Sequence, residues 1–161
     1  MCGIAGQIGR DPRAIQSNYA AYCAMQRTMT RRGPDQRGMY ISGRAAMLHA
    51  RLAVVDLENG CQPMQLEWQE ENYTLVYNGE LYNTEELRGL LAARGHVFTG
   101  HSDTEVLLHA YAEWGTSCVD RVNGIFAFAV WAERSGKVVL ARGRCGVKPL
   151  FYNKNADSLI L

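Results

Sequence analysis

The chain has 161 residues, 47% of them hydrophobic and 20% charged, with 17 basic residues against 16 acidic. That is enough chain for one domain with its own core, and the near-zero net charge excludes an electrostatic case for nucleic acid or an anionic membrane as partner. Five cysteines and four histidines are scattered without a C-x-x-C pair or a helical His pair, so reduced thiols of a cytoplasmic protein are expected and no metal site. No run approaches the ~20 apolar residues of a membrane span, and the first residues lack the basic and apolar regions of a secretory signal.

In chain order, residues 2–9 read as a short buried strand. From Ile15 to Met29 the large apolar residues Ile15, Tyr19, Tyr22, Met25 and Met29 keep a helical period, and the breaker Arg32-Gly33-Pro34-Asp35 follows. Strand candidates lie at 38–42 and 46–50, and then comes the apolar stretch Leu52–Leu57. A strand through Tyr73–Tyr77 ends at Asn78-Gly79. A helix starts near Asn83 or Thr84, buries Leu87, Leu90 and Leu91, and stops at Gly95 after Arg94. Ser102-Asp103-Thr104-Glu105 matches a capping box, opening a helix with Leu107, Ala110, Tyr111 and Trp114 on one face and Gly115 at its end. Ile125–Ala132 is a continuous apolar run suited to a strand covered on both faces; Val138–Ala141 is another strand, and Phe151-Tyr152 and Ser158–Leu161 are weaker candidates. Layered α and β structure in one continuous domain is the expectation.

Three elements can carry chemistry. Once Met1 is removed, Cys2 holds a thiol and a free α-amine in one residue, with ordinary pKa values of about 8.5 and about 7.7–8.0. The amine can then take the thiol proton near neutral pH, so nucleophile and base sit together. The alternative is a Cys2 that only packs as a small apolar residue. Asn78-Gly79 offers a side-chain amide and a backbone N–H for an oxyanion, and is also a common turn dipeptide. Arg51 supplies a fork of donors for a carboxylate and Asp103 an acceptor for an ammonium, the pair an amino acid needs. Either is equally compatible with a surface charge, and Asp103 also suits a helix first turn.

The segments Met1-Cys2-Gly3-Ile4-Ala5-Gly6, Arg32-Gly33-Pro34-Asp35, His49-Ala50-Arg51-Leu52-Ala53-Val54-Val55-Asp56 and Tyr77-Asn78-Gly79-Glu80-Leu81-Tyr82-Asn83 occur in this order. Ser102-Asp103-Thr104-Glu105, Asn123-Gly124-Ile125-Phe126-Ala127-Phe128-Ala129 and Gly146-Val147-Lys148-Pro149-Leu150-Phe151-Tyr152 follow them. Together they closely resemble the glutaminase domain of glutamine-hydrolysing asparagine synthetases, class II glutamine amidotransferases among the N-terminal nucleophile hydrolases. The resemblance covers nearly the whole chain.

It implies an α+β fold, a four-layer αββα sandwich. Cys2 is then the nucleophile, with Asn78 and Gly79 as oxyanion hole. Arg51 takes the glutamine α-carboxylate, Asp103 and Glu80 take the α-ammonium, and Leu52, Val54 and Val55 line the pocket. No metal or organic cofactor is implied for glutamine hydrolysis; ATP and Mg belong to a separate synthetase domain or subunit that receives the ammonia. The implied partners are glutamine and that synthetase, and a homo-oligomer is compatible with the family. A glutaminase-like module that binds a synthetase without catalysing anything is the competing reading, disfavoured by the presence of Cys2, Arg51, Asn78, Gly79 and Asp103 together. Two departures stand out. Arg142-Gly143 replaces the family's usual Arg-Asp, and the family domain is expected to continue some tens of residues past the equivalent of Leu161, its last residues here resembling a strand cut short at a sheet edge.

Overall fold

A computed structural model describes residues 1–161 except Val55 and Leu57. One antiparallel sheet holds β1 (Gly3–Gly9), β2 (Gln36–Ile41), β3 (Ala45–Arg51), β8 (Asn153–Lys154) and β9 (Ser158–Ile160), in the order β2-β3-β1-β9-β8. The second holds β4 (Met64–Trp68), β5 (Glu71–Leu81), β6 (Gly124–Ala132) and β7 (Lys137–Arg142), in the order β4-β5-β6-β7. The helices are α1 (Pro12–Ser17), α2 (Tyr19–Thr28), α3 (Thr84–Ala92) and α4 (Asp103–Trp114), with a tighter 3₁₀ turn over Gly115–Asp120.

Three apolar clusters define the layers. Ile15, Tyr22 and Met29 of the first helical region pack on Ala5, Ala46, Leu48 and Ala50 of the first sheet. The opposite face of that sheet, with Ala45 and Met47, meets Val76, Ala129 and Trp131 of the second sheet. The outer face of the second sheet, including Leu75, Phe126, Phe128 and Val130, packs on Leu87 and Leu91 of α3 and Leu107 and Leu108 of α4. This is the expected four-layer αββα sandwich. It follows from strand alternation, since side chains two apart share a face. In β6, Phe126, Phe128 and Val130 go to the helices, and Ala129 and Trp131 go to the seam between the sheets. Full burial of each large apolar side chain contributes roughly 1.5–3 kcal/mol.

Several local expectations change. The helical period from Ile15 to Met29 spans two helices, broken at Asn18, whose amide donates to Gln7 Oε1 at 3.2 Å. Tyr19, on the second of these, is exposed, and so is Leu90 on α3. The strand read as ending at Asn78-Gly79 runs on to Leu81, because β6 pairs with it residue by residue as far as Leu81↔Gly124. Asn78 and Gly79 therefore lie inside a strand, opposite Ala127 and Phe126, and not in a turn. The stretch Leu52–Leu57 leaves β3 and forms no regular element at its described residues. Phe151 and Tyr152 are exposed and lie outside the strands. The terminal strand β9 is not an edge: it sits between β1 and β8, and Leu161 exchanges backbone hydrogen bonds with Gly6.

The capping box forms by half. Ser102 Oγ accepts from Glu105 N–H at 3.2 Å, but the Glu105 carboxylate turns to the preceding turn and accepts from the N–H groups of Thr99 and Gly100. That fixes the chain entering α4, whose first residue is Asp103. Gly143 donates its N–H to Phe126 O, and a Cβ built there has no neighbour closer than 3.6 Å. Space does not require glycine at this departure from the family pattern.

Candidate active site

At one end of the seam the alternation of three strands brings the candidate residues onto facing surfaces. Ile4 and Ile8 of β1 pack into the seam, so Cys2, two residues before Ile4, faces the same way. On β5, Val76 is in the seam and Asn78 follows on the same face. On β3, Ala45 and Met47 are in the seam, followed by His49 and Arg51. Gly3 pairs with Ala50, which sets Cys2 beside the end of β3.

A cavity of about 250 Å3 opens here, bordered by Cys2, Arg51, Asn78, Gly79, Glu80 and Asp103. Leu52 and Val54 border it too, both exposed at its mouth. Val55 lies outside the described residues. Every other site residue expected from the sequence thus meets in one cavity.

Cys2 is half-buried, and its Sγ accepts from the Leu52 N–H at 3.4 Å. The same sulfur lies 3.7 Å from Leu52 O, so both backbone groups of Leu52 adjoin it. Arg32 Nε, from the Arg-Gly-Pro-Asp breaker, donates to Cys2 O at 3.2 Å and fixes the start of the chain. Met1 also borders the cavity, and Lys148 Nζ lies 3.3 Å from its sulfur.

Gly79 is sterically obligatory. A Cβ on it would lie 2.4 Å from Ile125 O and 2.8 Å from Phe126 Cα, both backbone atoms of the partner strand. Its N–H direction follows from the ladder. Phe126, opposite Gly79, gives its carbonyl to Gly143 on the far side, so Gly79 faces away from β6. The residues of the same parity agree: Tyr77 N–H donates to Gln62 Oε1 at 2.6 Å, and Leu81 N–H to Asp103 Oδ2 at 3.1 Å. Between them, beyond the end of β4, the Gly79 N–H turns to the side where the strand borders the cavity.

Arg51 is 5% exposed and held from two directions: Nη1 donates to Gln36 Oε1 at 3.1 Å and Nη2 to Asp56 O at 2.6 Å. Opposite it, Asp103 Oδ2 accepts from the Tyr77 hydroxyl at 2.8 Å as well as from Leu81 N–H. Burial pushes the Asp103 carboxyl above its ordinary range, opposed by those hydrogen bonds, and the Glu80 charge pushes the same way as burial. A ligand cation here would favour the ionised form of Asp103. Burial and the Asp103 charge raise Tyr77 strongly, so its hydroxyl stays a donor.

The sequence reading missed the supports. Gln62, buried, bridges β5 and α4 by accepting from Tyr77 N–H and donating to Thr104 Oγ1 at 3.2 Å. Tyr77 itself aims Asp103. His49 donates from Nε2 to Tyr77 O at 3.1 Å across the seam, while its Nδ1 is buried without a hydrogen-bond partner among the described residues. Burial lowers His49 to about 4, so it is neutral. The signal for His49 was available: two residues before Arg51 on a strand means the same face. Gln62 follows a loop and had none.

Two antiparallel sheets between helices, with a cysteine at the start of β1 facing their seam, define a fold of the N-terminal nucleophile hydrolase type. The sequence pattern of the family described as glutamine amidotransferase domain matches residues 1–161, and the chain belongs to that family. It is 49% identical over 160 residues to asparagine synthetase [glutamine-hydrolyzing] 3 of Bacillus subtilis (strain 168), covering 99% of this chain and 26% of that protein. To a probable asparagine synthetase [glutamine-hydrolyzing] of Dictyostelium discoideum it is 39% identical over 161 residues, covering 99% and 28%. The chain spans about a quarter of the length of these relatives. The glutamine phosphoribosylpyrophosphate amidotransferase from B. subtilis, solved with ADP and GMP, matches with a TM-score of 0.63 at 22% identity, covering 98% of this chain and 34% of that one. At that identity the likeness speaks for the fold.

Proposed function

We propose that this domain hydrolyses the side-chain amide of glutamine through a Cys2 thioester and supplies the ammonia to an ATP-dependent amidation of the asparagine synthetase type. The amidation takes place in a synthetase domain or subunit. The observation that carries the reading is one cavity bordered by a thiol, an Asn-Gly pair, a buried guanidinium and a half-buried carboxylate, the last two matching the two charges of an amino acid.

Arg51 takes the α-carboxylate, and Asp103, with Glu80 adding negative charge, takes the α-ammonium. This places the side-chain amide at Cys2. With Met1 removed, the Cys2 α-amine accepts the thiol proton, and sulfur bonds to the amide carbon. Negative charge gathers on the amide oxygen, where the Asn78 side chain and the Gly79 N–H receive it. As the intermediate collapses the C–N bond breaks, the amine returns its proton to the leaving nitrogen, and ammonia departs. Water then attacks the thioester carbon, glutamate leaves, and the thiol is restored. Leu52 and Val54 wall the mouth.

The test is ammonia and glutamate release from glutamine by the purified chain, with intact mass recording whether Met1 is gone. The processed chain releases both products in equal amounts, and Cys2→Ala releases none above background. Full turnover by chains that retain Met1 would sink the proposed base, since their Cys2 nitrogen is an amide. Equal turnover by Cys2→Ala would sink the nucleophile.

A further inference from the structure

Asp56, which is not among the residues bordering the cavity, links Arg51 to the turn before Asp103. The backbone carbonyl of Asp56 accepts from Arg51 Nη2 at 2.6 Å and from Gly60 N–H at 2.9 Å. Its side chain reaches the other way, Oδ2 accepting from His101 N–H at 2.6 Å. Oδ1 accepts from the Asn59 N–H at 3.0 Å and the Asn59 amide at 3.1 Å. His101 lies two residues before Asp103, and Ser102 between them caps the helix that Asp103 begins. A single residue therefore joins the guanidinium assigned to the α-carboxylate with the turn that presents the acceptor assigned to the α-ammonium.

The surroundings are cut to fit this link. A Cβ on Gly100 would sit 2.5 Å from Asp56 Oδ2, and one on Gly60 would sit 2.3 Å from Arg51 Nη2 and 2.8 Å from Asp56 O. Asp56 itself has φ 47°, a left-handed conformation that Asp tolerates better than most residues because its short side chain bonds locally. The bonds to His101 and Asn59 hold its carboxyl below the usual carboxylate range, so it carries its charge in the fold. Charge-assisted bonds from backbone N–H groups are roughly twice as strong as neutral ones.

We propose that Asp56 is a positioning residue that fixes the separation of Arg51 from Asp103 and so sets the selectivity of the site for a free α-amino acid head. The inference rests on the glutamine reading of the cavity. Asp56 touches no substrate. It acts through Arg51 on one side and through His101 and Ser102 on the other. Asp56→Asn keeps the shape but loses the charge, and presents N–H groups where one of its acceptors stood. Gly100→Ala leaves Asp56 intact and pushes its carboxylate off His101.

The experiment is protection of Cys2 by glutamine against alkylation with iodoacetamide, read by mass spectrometry on the Cys2 peptide of the full chain. Alkylation needs the thiol but neither Arg51 nor Asp103, so each variant supplies its own baseline without glutamine. Asp56→Asn and Gly100→Ala should each raise the glutamine concentration for half-protection by about 10-fold or more, the scale of a lost hydrogen bond to a charged group. Glutaramate, which lacks the α-ammonium, should protect the variants and the parent alike. A purely structural role would lower the folded fraction without moving the midpoint. A midpoint within twofold of the parent in both variants, or loss of cooperative melting in both, overturns the proposal. If Arg51→Ala and Asp103→Asn also leave the midpoint unmoved, the glutamine reading itself has failed. If they raise it and the Asp56 and Gly100 variants do not, only the positioning role has failed.

Discussion

Replacing Gly79 by alanine tests the oxyanion assignment through backbone geometry. The added methyl would meet Ile125 O at 2.4 Å, about 1 Å inside ordinary contact, and Phe126 Cα at 2.8 Å. Both belong to β6, which is pinned by β7 on its other side, so the relief falls on β5. The Tyr77 ring is a third neighbour, at 2.6 Å, and its hydroxyl holds Asp103, so it has little freedom to swing away. A shift of β5 by several tenths of an ångström moves the Gly79 N–H off the developing oxyanion, and misplacement on the 1 Å scale costs about 10²-fold. Removal of one oxyanion donor costs about 10²–10³ in turnover, which bounds the effect from the other side. Overpacking should also lower stability by about 1–3 kcal/mol. The assay is steady-state ammonia release, with urea melts to confirm that the variant is folded under assay conditions. A folded Gly79→Ala chain with turnover within threefold of the parent would refute the role of this N–H.

Asn78→Ala should lower turnover by about 10²–10³ with little change in the Michaelis constant, whereas Arg51→Ala should chiefly raise the Michaelis constant, because the carboxylate contact exists in ground and transition states alike; initial-rate kinetics separates them, and reversed signatures would exchange the roles. Cys2 should be the one catalytic thiol: burial pushes Cys118 up to about 12, so Cys118→Ala and Cys61→Ala should stay within a few fold in turnover. Asp103→Asn should abolish glutamine affinity while equalling or exceeding the parent in thermal stability at pH 7. The raised folded pKa of Asp103 means its ionised form disfavours the fold, so the advantage of the variant exists above that pKa and fades as pH falls through it. Buried His49 and His109 are both lowered from 6.5 to about 4, so their neutral forms favour the fold above about 6.5, and stability declines as pH falls from there toward about 4. Urea midpoints across that window should drop in the parent and drop less in His109→Gln; a flat parent profile would contradict the burial of these rings.

How much of this was legible in the chain depends on whether the determinant was local. The run from Ile125 to Ala132 declared its strand because alternate residues pack in two directions at once, and Ser102 declared the start of α4 because its cap is a contact over three residues. Asn78-Gly79 misled for the opposite reason. Its turn propensity is local, while the need for glycine comes from Ile125 O on another strand, a neighbour no window around position 79 contains. The break at Asn18 is tertiary as well, since the apolar period continues across it and only the bond to Gln7 of β1 marks the place. The edge strand β4 was passed over although Met64, Leu66 and Trp68 alternate with Gln65 and Glu67; it has only five residues, none of them buried. The residues that border the cavity were legible through motif order, but their supports were not: Gln62 and Tyr77 act by bonds across the sequence to Thr104 and Asp103.

The placing of the site at the end of a seam between two sheets has its own logic. On the proposed reading Arg51 and Asp103 work best in a partly dry setting, where taking a charge out of water costs several kcal/mol unless bonds offset it. Deep in the seam the neighbours are chiefly apolar, Met47, Val76 and Ala129 among them. On the surface, solvent would screen the charges and weaken discrimination. At the strand ends the backbone has run out of ladder partners, and its loose N–H and C=O groups become the solvating shell. Leu81 N–H serves Asp103, Asp56 O serves Arg51, and Leu52 N–H serves the Cys2 sulfur. These three groups are thus each held by a backbone group that pairs with no neighbouring strand, which ties the geometry of the cavity to the places where its strands end. A one-residue slip of β5 against β6 would turn Asn78 from the seam to the helices and, in the same step, carry the Gly79 N–H to the wrong side.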